Sequence, residues 1–408
     1  MPAPREKIFG LRKNIFWLGL TSLFTDISSE MIYPLIPVFA TTILGVSAQF
    51  VGLIEGIAES TASLLKVFSG WLSDKINKRK GLTLAGYSLS AIAKPLLAVA
   101  NAGWQVLSVR AIDRSGKGIR TAPRDALIAD SSNSEDYGKS FGFHRTMDTI
   151  GAMIGPALAL VLLPFLATRS SSHGYRELFG LAVIPAAVGI IILVFFVKDI
   201  RIKSRSETPV EKPKLSLAGF DRRFKLFLLV VLIFTLGNSS DAFLILRAKN
   251  VGLAIGLIPL AYLMFNTVNA VLATPTGIIS DRLGRRGVIS VGFFIFAIVY
   301  TGFALAKGTA LIWLMFALYG VYYAFTESIF KAYTADIVPD SARGTAYGLL
   351  NMTMGIALLP ASLIAGFLWD RVSPGAPFFY GAATALIALI LFLVLTPGAA
   401  IKTKSPAG

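Results

Sequence analysis

The sequence predicts an all-α membrane protein with twelve transmembrane helices in two pseudo-symmetric six-helix bundles, both termini cytoplasmic. Three observations carry this. Only 15% of the 408 residues are charged and 54% are hydrophobic, whereas a soluble domain is about 25% charged. Apolar runs long enough to cross a bilayer recur near 14–42, 48–72, 81–100, 104–128, 140–166, 177–197, 225–247, 252–279, 287–306, 309–335, 344–369 and 376–396. Finally, the charged turn Gly70-Trp-Leu-Ser-Asp74-Lys75-Ile-Asn77-Lys78-Arg79 returns 207 residues later as Gly277-Ile-Ile-Ser-Asp281-Arg282-Leu-Gly284-Arg285-Arg286.

The runs are apolar without period-2 alternation, which means helices and not a transmembrane barrel. The first is too long for a signal-peptide core and has no cleavage site, so it is expected to remain as a span. The net charge of +16 is mostly topology: 24 of the 39 lysines and arginines fall at the termini, in alternate loops or in the 198–225 segment. That bias follows the positive-inside rule and argues for an inner (plasma) membrane, multi-pass, in contact with the lipid bilayer and with no nucleic acid as partner. The chain has no cysteine, which excludes disulfides and thiolate metal sites.

Residues 198–224 interrupt the apolar pattern with a basic stretch holding Pro209 and Pro213, a cytoplasmic linker. It separates a bundle over 1–197 from one over 225–408. The internal repeat extends beyond the turn. Ala129-Asp130, Gly138 and Gly142 recur as Ala335-Asp336, Gly344 and Gly348, and Ser28-Ser29-Glu30 is echoed by Ser239-Ser240-Asp241. Duplicated membrane bundles are the sequence mark of a secondary transporter. The asparagine triplets at Asn238 and Asn351 fall inside spans and are chance matches to a glycosylation signal.

Twelve spans in two halves, with Gly-x-x-x-Asp-Arg/Lys turns after spans two and eight, resemble the major facilitator superfamily. The second turn, Gly277 to Arg286, matches the family signature closely, and the first carries Asn77 where the family usually has glycine. Gly151-x-x-x-Gly155-Pro156 in span five is similar to the motif linked to exporters, in an incomplete form. The resemblance implies alternating access about a central cavity lined by spans one, four, seven and ten. It also implies gating roles for Gly70, Asp74, Arg79, Gly277, Asp281, Arg282, Arg285 and Arg286, the acids capping helix N-termini of the other half.

Eighteen charged residues fall within the spans, and each costs about 2.5–3.5 kcal/mol at the bilayer centre on insertion scales. They must pair or line a wet cavity. In span four, Arg110, Asp113, Arg114, Lys117, Arg120 and Arg124 all lie within an arc of about 120° at helical spacing, a cationic stripe on one face. Of these, Arg114, Lys117, Arg110 and Arg120 are expected to bind solute, chiefly Arg114 and Lys117, together with Glu327 and Lys331 of span ten. Asp26 and Glu30 lie one turn apart on span one. With Asp241 they are the candidate proton-coupling groups, because a carboxyl whose ionisation depends on its neighbours can tie proton binding to solute binding.

Glu55 and Glu59 are expected to form helix-to-helix pairs, Asn266 and Asn269 to cross-link helices, and His144 to be interfacial. Gly116-Lys117-Gly118 lacks the spacing of a phosphate loop. No catalytic residues, cofactor or metal site are expected. The function expected is a secondary active transporter moving a small polar solute, anionic or zwitterionic, by alternating access. Protons are the coupling ion, export is favoured, and a monomer suffices. A drug or hydrophobic-cation carrier, a metal-ion exporter, and a non-transporting receptor or scaffold are the alternatives.

Overall fold

The computed structural model describes residues 7–8, 11–76, 78–132, 136–166, 171–199, 217, 219–339 and 342–396. Most of the 198–224 linker and the C-terminal 397–408 lie outside them. Apart from a short N-terminal hairpin, β1 (Lys7–Ile8) with β2 (Leu11–Arg12), the regular structure is helical.

The first half contains α1 (Lys13–Ile32), α2 (Ile36–Thr42), α3 (Ala48–Ile76), α4 (Arg79–Ala93), α5 (Gly103–Ser131), α6 (Tyr137–Leu166), α7 (Ser171–Leu181) and α8 (Val183–Phe196). The second contains α9 (Arg222–Gly237), α10 (Ala242–Asn250), α11 (Ile258–Leu283), α12 (Arg285–Leu305), α13 (Thr309–Ile337), α14 (Arg343–Arg371) and α15 (Ala376–Leu395). Among the described residues, nine helical segments are long and apolar enough to span a bilayer. The expected spans 14–42, 48–72 and 104–128 fall on α1–α2, α3 and α5. These are of membrane length too, but Asp26, Glu30, Glu55, Glu59, Lys66 and the α5 stripe make them too polar to qualify by composition.

Two of the helices break where the sequence directs. α1 passes through a 3-10 turn, Tyr33–Leu35, around Pro34 before α2 resumes, since proline removes a backbone donor and crowds the preceding turn. α9 stops at Gly237, and residues 238–241 separate it from α10. The break leaves Asp241 at the N-cap of α10. Between α11 and α12 the chain turns at Gly284, whose φ of 90° suits glycine.

Helices pack within each half through small residues. In α6 a Cβ on Gly155 would sit 2.8 Å from both the Ile27 carbonyl oxygen and the Met31 nitrogen of α1, so only glycine allows this approach. The second half has an aromatic core in which Phe234, Phe293, Phe296, Tyr300 and Phe330 are buried against one another. Between the halves, α3 lies along α14: Gln49 N donates to Asp370 Oδ2 (2.8 Å) and Ser60 Oγ donates to the Gly355 carbonyl (2.6 Å). A Cβ on Gly56 would come within 3.0 Å of Leu359 Cα. α6 meets α11 in a second seam, where Asn266 Nδ2 reaches the Ala152 carbonyl at 3.5 Å.

Gly155→Val should force α1 from α6. Overpacking of this kind costs about 1–3 kcal/mol, so the unfolding midpoint of the purified protein should fall by several degrees. Gly142→Ala, which meets nothing within 4 Å, should not lower it, and should raise it slightly because alanine is the better helix former.

Candidate functional site

Between the halves lies a cavity of about 590 Å³, inside the 300–1,000 Å³ range of small-molecule sites. α1, α3, α5 and α6 line it from the first half. The α9–α10 break, α11 and α13 line it from the second. Its deep end holds Asp26, Glu30 and Asp241 and lies beside the mutually tilted rings of Tyr33 and Tyr262, 5.6 Å apart. At the other end Phe141, Arg145 and Lys331 are exposed. The cavity therefore opens toward the end of the molecule where α1 and α6 begin and α3, α5 and α13 finish.

The cationic stripe of α5 divides. Lys117, Arg120 and Arg124 border the cavity. Arg110 and Arg114 are not among its lining residues. Arg110 is clamped by Glu55 of α3, Nε to Oε1 at 2.9 Å and Nη2 to Oε2 at 2.7 Å, and reaches Asp113 at 3.4 Å. Arg114 Nε lies 2.9 Å from Glu59 Oε1. Both guanidinium groups also stand over the Tyr33 ring, at 5.2 and 5.6 Å, within cation–π range. A one-turn shift along α5 thus separates bases committed to α3 carboxylates from bases turned to the hollow. The expected helix-to-helix role of Glu55 and Glu59 agrees with these contacts.

The bases at the cavity differ in how they are held. Arg120 donates to Ser90 Oγ (2.8 Å) and packs over Tyr87 at 4.5 Å. Arg124 donates to Asp125 Oδ1 (2.9 Å) and Ser22 Oγ (3.3 Å). Lys117, Lys66 and Lys331 have no carboxylate within ion-pair distance among the described residues, and all three border the hollow. Glu327 also borders it, and its Oε2 pairs with Arg145 Nη2 at 3.0 Å across the two halves.

The three candidate coupling carboxylates all face the cavity. Asp26 and Glu30 form no ion pair among the described residues, and Glu30 Oε2 is buried without a hydrogen-bond partner. α1 is held at this point by the glycines of α6, where a Cβ on Gly151 would lie 2.9 Å from Asp26 Cβ. Asp241 Oδ1 accepts from the Tyr319 hydroxyl at 2.7 Å. On the far side of α1, buried Lys94 donates to Ser28 Oγ (3.1 Å) and the Thr25 carbonyl (3.5 Å). His144 Nδ1 lies 3.4 Å from Asp148 Oδ2 on α6, both at the cavity wall.

The repeated turns occupy the ends of α3 and α11, away from the α3–α14 contacts at Gln49 and Ser60. Gly70 has Ala122 nearby and Gly277 faces open space. The side chain of Asp74 and residue Asn77 lie outside the described residues. Arg79 Nε pairs with Asp130 Oδ2 at 2.6 Å, both buried. In the second copy, Arg285 bridges Asp336 (2.5 Å) and Asp281 (3.1 Å). Arg286 Nη2 donates to the Leu393 carbonyl and Arg282 is exposed. Asp130 and Asp336, found in the sequence only as repeated positions, are thus the carboxylates that tie the start of α4 to the end of α5 and the start of α12 to the end of α13.

Sequence reasoning missed the uncharged wall. Tyr262, Phe265, Asn266 and Asn269 of α11 and Tyr323 of α13 all border the cavity. Their 3- and 4-residue spacing on α11 was legible, but an aromatic stripe in a span equally describes a face buried in protein.

A duplicated helical membrane protein with a charged hollow between its halves is a multi-pass transporter of small solutes. The chain belongs to the Major Facilitator Superfamily, whose family model matches residues 18–359 and 226–408. It is 37% identical over 393 residues to an uncharacterized MFS-type transporter of Methanocaldococcus jannaschii, covering 94% of this chain and 95% of that one. It is 25% identical over 383 residues to an uncharacterized protein of Mycobacterium tuberculosis, 92% and 91% covered. Among solved structures, a POT family transporter in complex with a thioalcohol-conjugated peptide superposes with a TM-score of 0.79 at 13% identity, covering 97% of this chain and 98% of that one.

Removing one partner of a buried pair costs about 3–5 kcal/mol, whereas replacing both is often neutral. Glu55→Met and Arg110→Met should each lower the unfolding midpoint sharply, and the double variant should recover most of the loss. Additive losses would show that the pair is not coupled.

Proposed function

We propose that the protein is a twelve-span inner-membrane carrier that exports a small zwitterionic or anionic solute by proton-coupled alternating access, a zwitterion leaving in exchange for protons, and that it works as a monomer. The observation that carries the reading is the supply of unengaged charge in one cavity. Lys117, Lys66 and Lys331 share one cavity with Asp26 and Glu30, with no ion pair formed among the described residues. A charge held at membrane depth without a partner is costly, and a solute carrying both signs would relieve both sets. Arg110 and Arg114 act through Glu55 and Glu59 by fixing α5 against α3, and Lys117, Arg120 and Lys331 receive the anionic group. Glu327 completes the cavity from the second half.

The coupling follows from competition. A cationic group of the solute and a proton cannot both neutralise the same carboxylate of Asp26 or Glu30. Solute arrival therefore favours proton release, and protonation on the other face favours solute release, which is exchange in opposite directions. A purely anionic solute would instead bind best when those carboxylates are protonated, and would travel with the proton. Asp241, held by Tyr319, offers a third such group from the second half. The exporter-like glycine motif of α6 supports the outward direction.

In topology, α1–α2 form span one, α3 to α6 spans two to five (α4 extended to Val99), α7–α8 span six, α9–α10 span seven, and α11 to α15 spans eight to twelve. The bundles are 1–197 and 225–408, joined by 198–224. With termini and linker cytoplasmic, the cavity as described opens to the cytoplasm and the α3–α14 seam closes the other side. Rocking of the halves would bring the Gly70–Arg79 and Gly277–Arg286 turns together as that seam parts.

Two measurements test this. Purified protein screened by thermal shift at pH 6 and 8 should be stabilised by zwitterions such as amino acids, dipeptides or aminophosphonates, with Lys117→Ala weakening the hit at least tenfold. Stabilisation by hydrophobic cations alone would end the reading. In liposomes, Asp26→Asn with Glu30→Gln should abolish transport driven by a pH gradient, and solute-for-solute exchange should survive only at raised solute concentration because the same carboxylates hold the cationic group; gradient-driven transport that persists would remove these residues from the coupling.

A further inference from the structure

The cavity has two unlike walls. α5 contributes Lys117, Arg120, Thr121 and Arg124, and α11 contributes Tyr262, Phe265, Asn266 and Asn269. Both sets follow the same 3- and 4-residue spacing, so each is one face of its helix. The α5 face is cationic, while the α11 face carries no charge along its whole lining. Tyr323 of α13 continues the α11 wall.

The rings of this wall are locked in place by one another. Tyr262 and Phe265 lie 5.3 Å apart, and Phe265 meets Tyr323 edge-on at 5.1 Å. Tyr323 also stands edge-on to Tyr319 at 5.2 Å, and Tyr319 is the residue that bonds Asp241. Phe265 is only 3% exposed, so it anchors the wall, and half-buried Tyr323 presents surface to the hollow. A pre-set aromatic surface beside paired and unpaired charges is wasted on a compact, fully hydrated solute. It suits a flat π-system, for which offset and edge-on ring contacts add stabilisation beyond the area buried.

We propose that the transported solute carries a flat unsaturated ring, seated against Tyr323 with Phe265 and Tyr262 packed behind and beside it, and with its charged groups turned to Lys117 and to Asp26 and Glu30. Asn266 and Asn269, next along the same stripe, supply amide donors and acceptors to polar substituents on the ring. Phe265, Tyr262 and Tyr323 are then specificity-determining residues. This inference rests on the zwitterionic-solute reading above and narrows its class to aromatic or conjugated zwitterions.

The test uses full-length purified protein and zwitterions matched in charge and size but not in flatness. The pairs are 4-(aminomethyl)benzoate against trans-4-(aminomethyl)cyclohexanecarboxylate, and L-phenylalanine against L-cyclohexylalanine, with 6-aminohexanoate as the ring-free control. In isothermal titration, the aromatic member of at least one pair should bind about five- to tenfold more tightly than its saturated partner. That preference should fall below about twofold in Tyr323→Leu and Phe265→Leu, and be kept in Tyr323→Phe, with folding checked by unfolding midpoint. Equal binding within both pairs, or an unchanged preference in both leucine variants, overturns the proposal. In either case binding that still depends on Lys117 leaves the broader transport reading standing. Failure of every zwitterion to bind overturns both.

Discussion

Ionised side chains at membrane depth are tolerated only when paired or wet, and that constraint organises this molecule. α5 carries five bases on one stripe. If α5 faced lipid, their combined insertion cost would exceed the few kcal/mol by which proteins are stable. The fold meets the constraint twice over. Glu55 and Glu59 neutralise the two bases nearest the closed end, and a hollow between the halves hydrates those further along. α3 must therefore lie against α5, and the second half must stand off from α5 where Lys117 and Arg120 emerge. The placement of three helices follows from the need to shelter one.

The two halves meet the shared fold with different chemistry. The first is built around charge: Arg110 with Glu55, Arg114 with Glu59, Arg79 with Asp130, and Lys94 buried behind α1. The second is built around rings, a network running from Phe234 through Phe296 and Tyr322 to Tyr319 and Phe265. The ends of the repeat, by contrast, stay alike. Asp130 and Asp336 each receive an arginine from the repeated turn, although Arg79 and Arg285 are not at matching positions within it. Pairing geometry was kept while the exact residue supplying the charge moved by one.

Close helix approach does the remaining work. Gly155 and Gly151 bring α6 against α1 so that Asp26 and Glu30 are fixed toward the cavity. The same small-residue packing joins α3 to α14 at Gly56 and Gly355. In hydrocarbon there is no hydrophobic force to draw helices together, so backbone proximity, dispersion and interhelical hydrogen bonds hold the seams. Seams of that kind can part and re-form without exposing a greasy core to water, as moving halves require.

Much of this was present in the residue order. Helix, membrane and duplication follow from apolar run length, depleted charge and the turn at Gly70 and Gly277, all of which are local or periodic properties. The stripe on α5 follows from helical spacing alone, as does the shared face of Asp26 and Glu30. What spacing cannot show is the partner. Arg110, Arg114 and Lys117 are equivalent on a helical wheel, and only the lie of α3 against α5 decides that two of them meet carboxylates and the third meets the hollow. The aromatic wall of α11 was hidden for a similar reason, since a ring facing a cavity and a ring facing another helix have the same periodicity. The sequence by itself determined which faces are charged and which stretches are apolar and long. Tertiary structure decided which of those charges are satisfied, because pairing depends on distances between helices far apart in the chain.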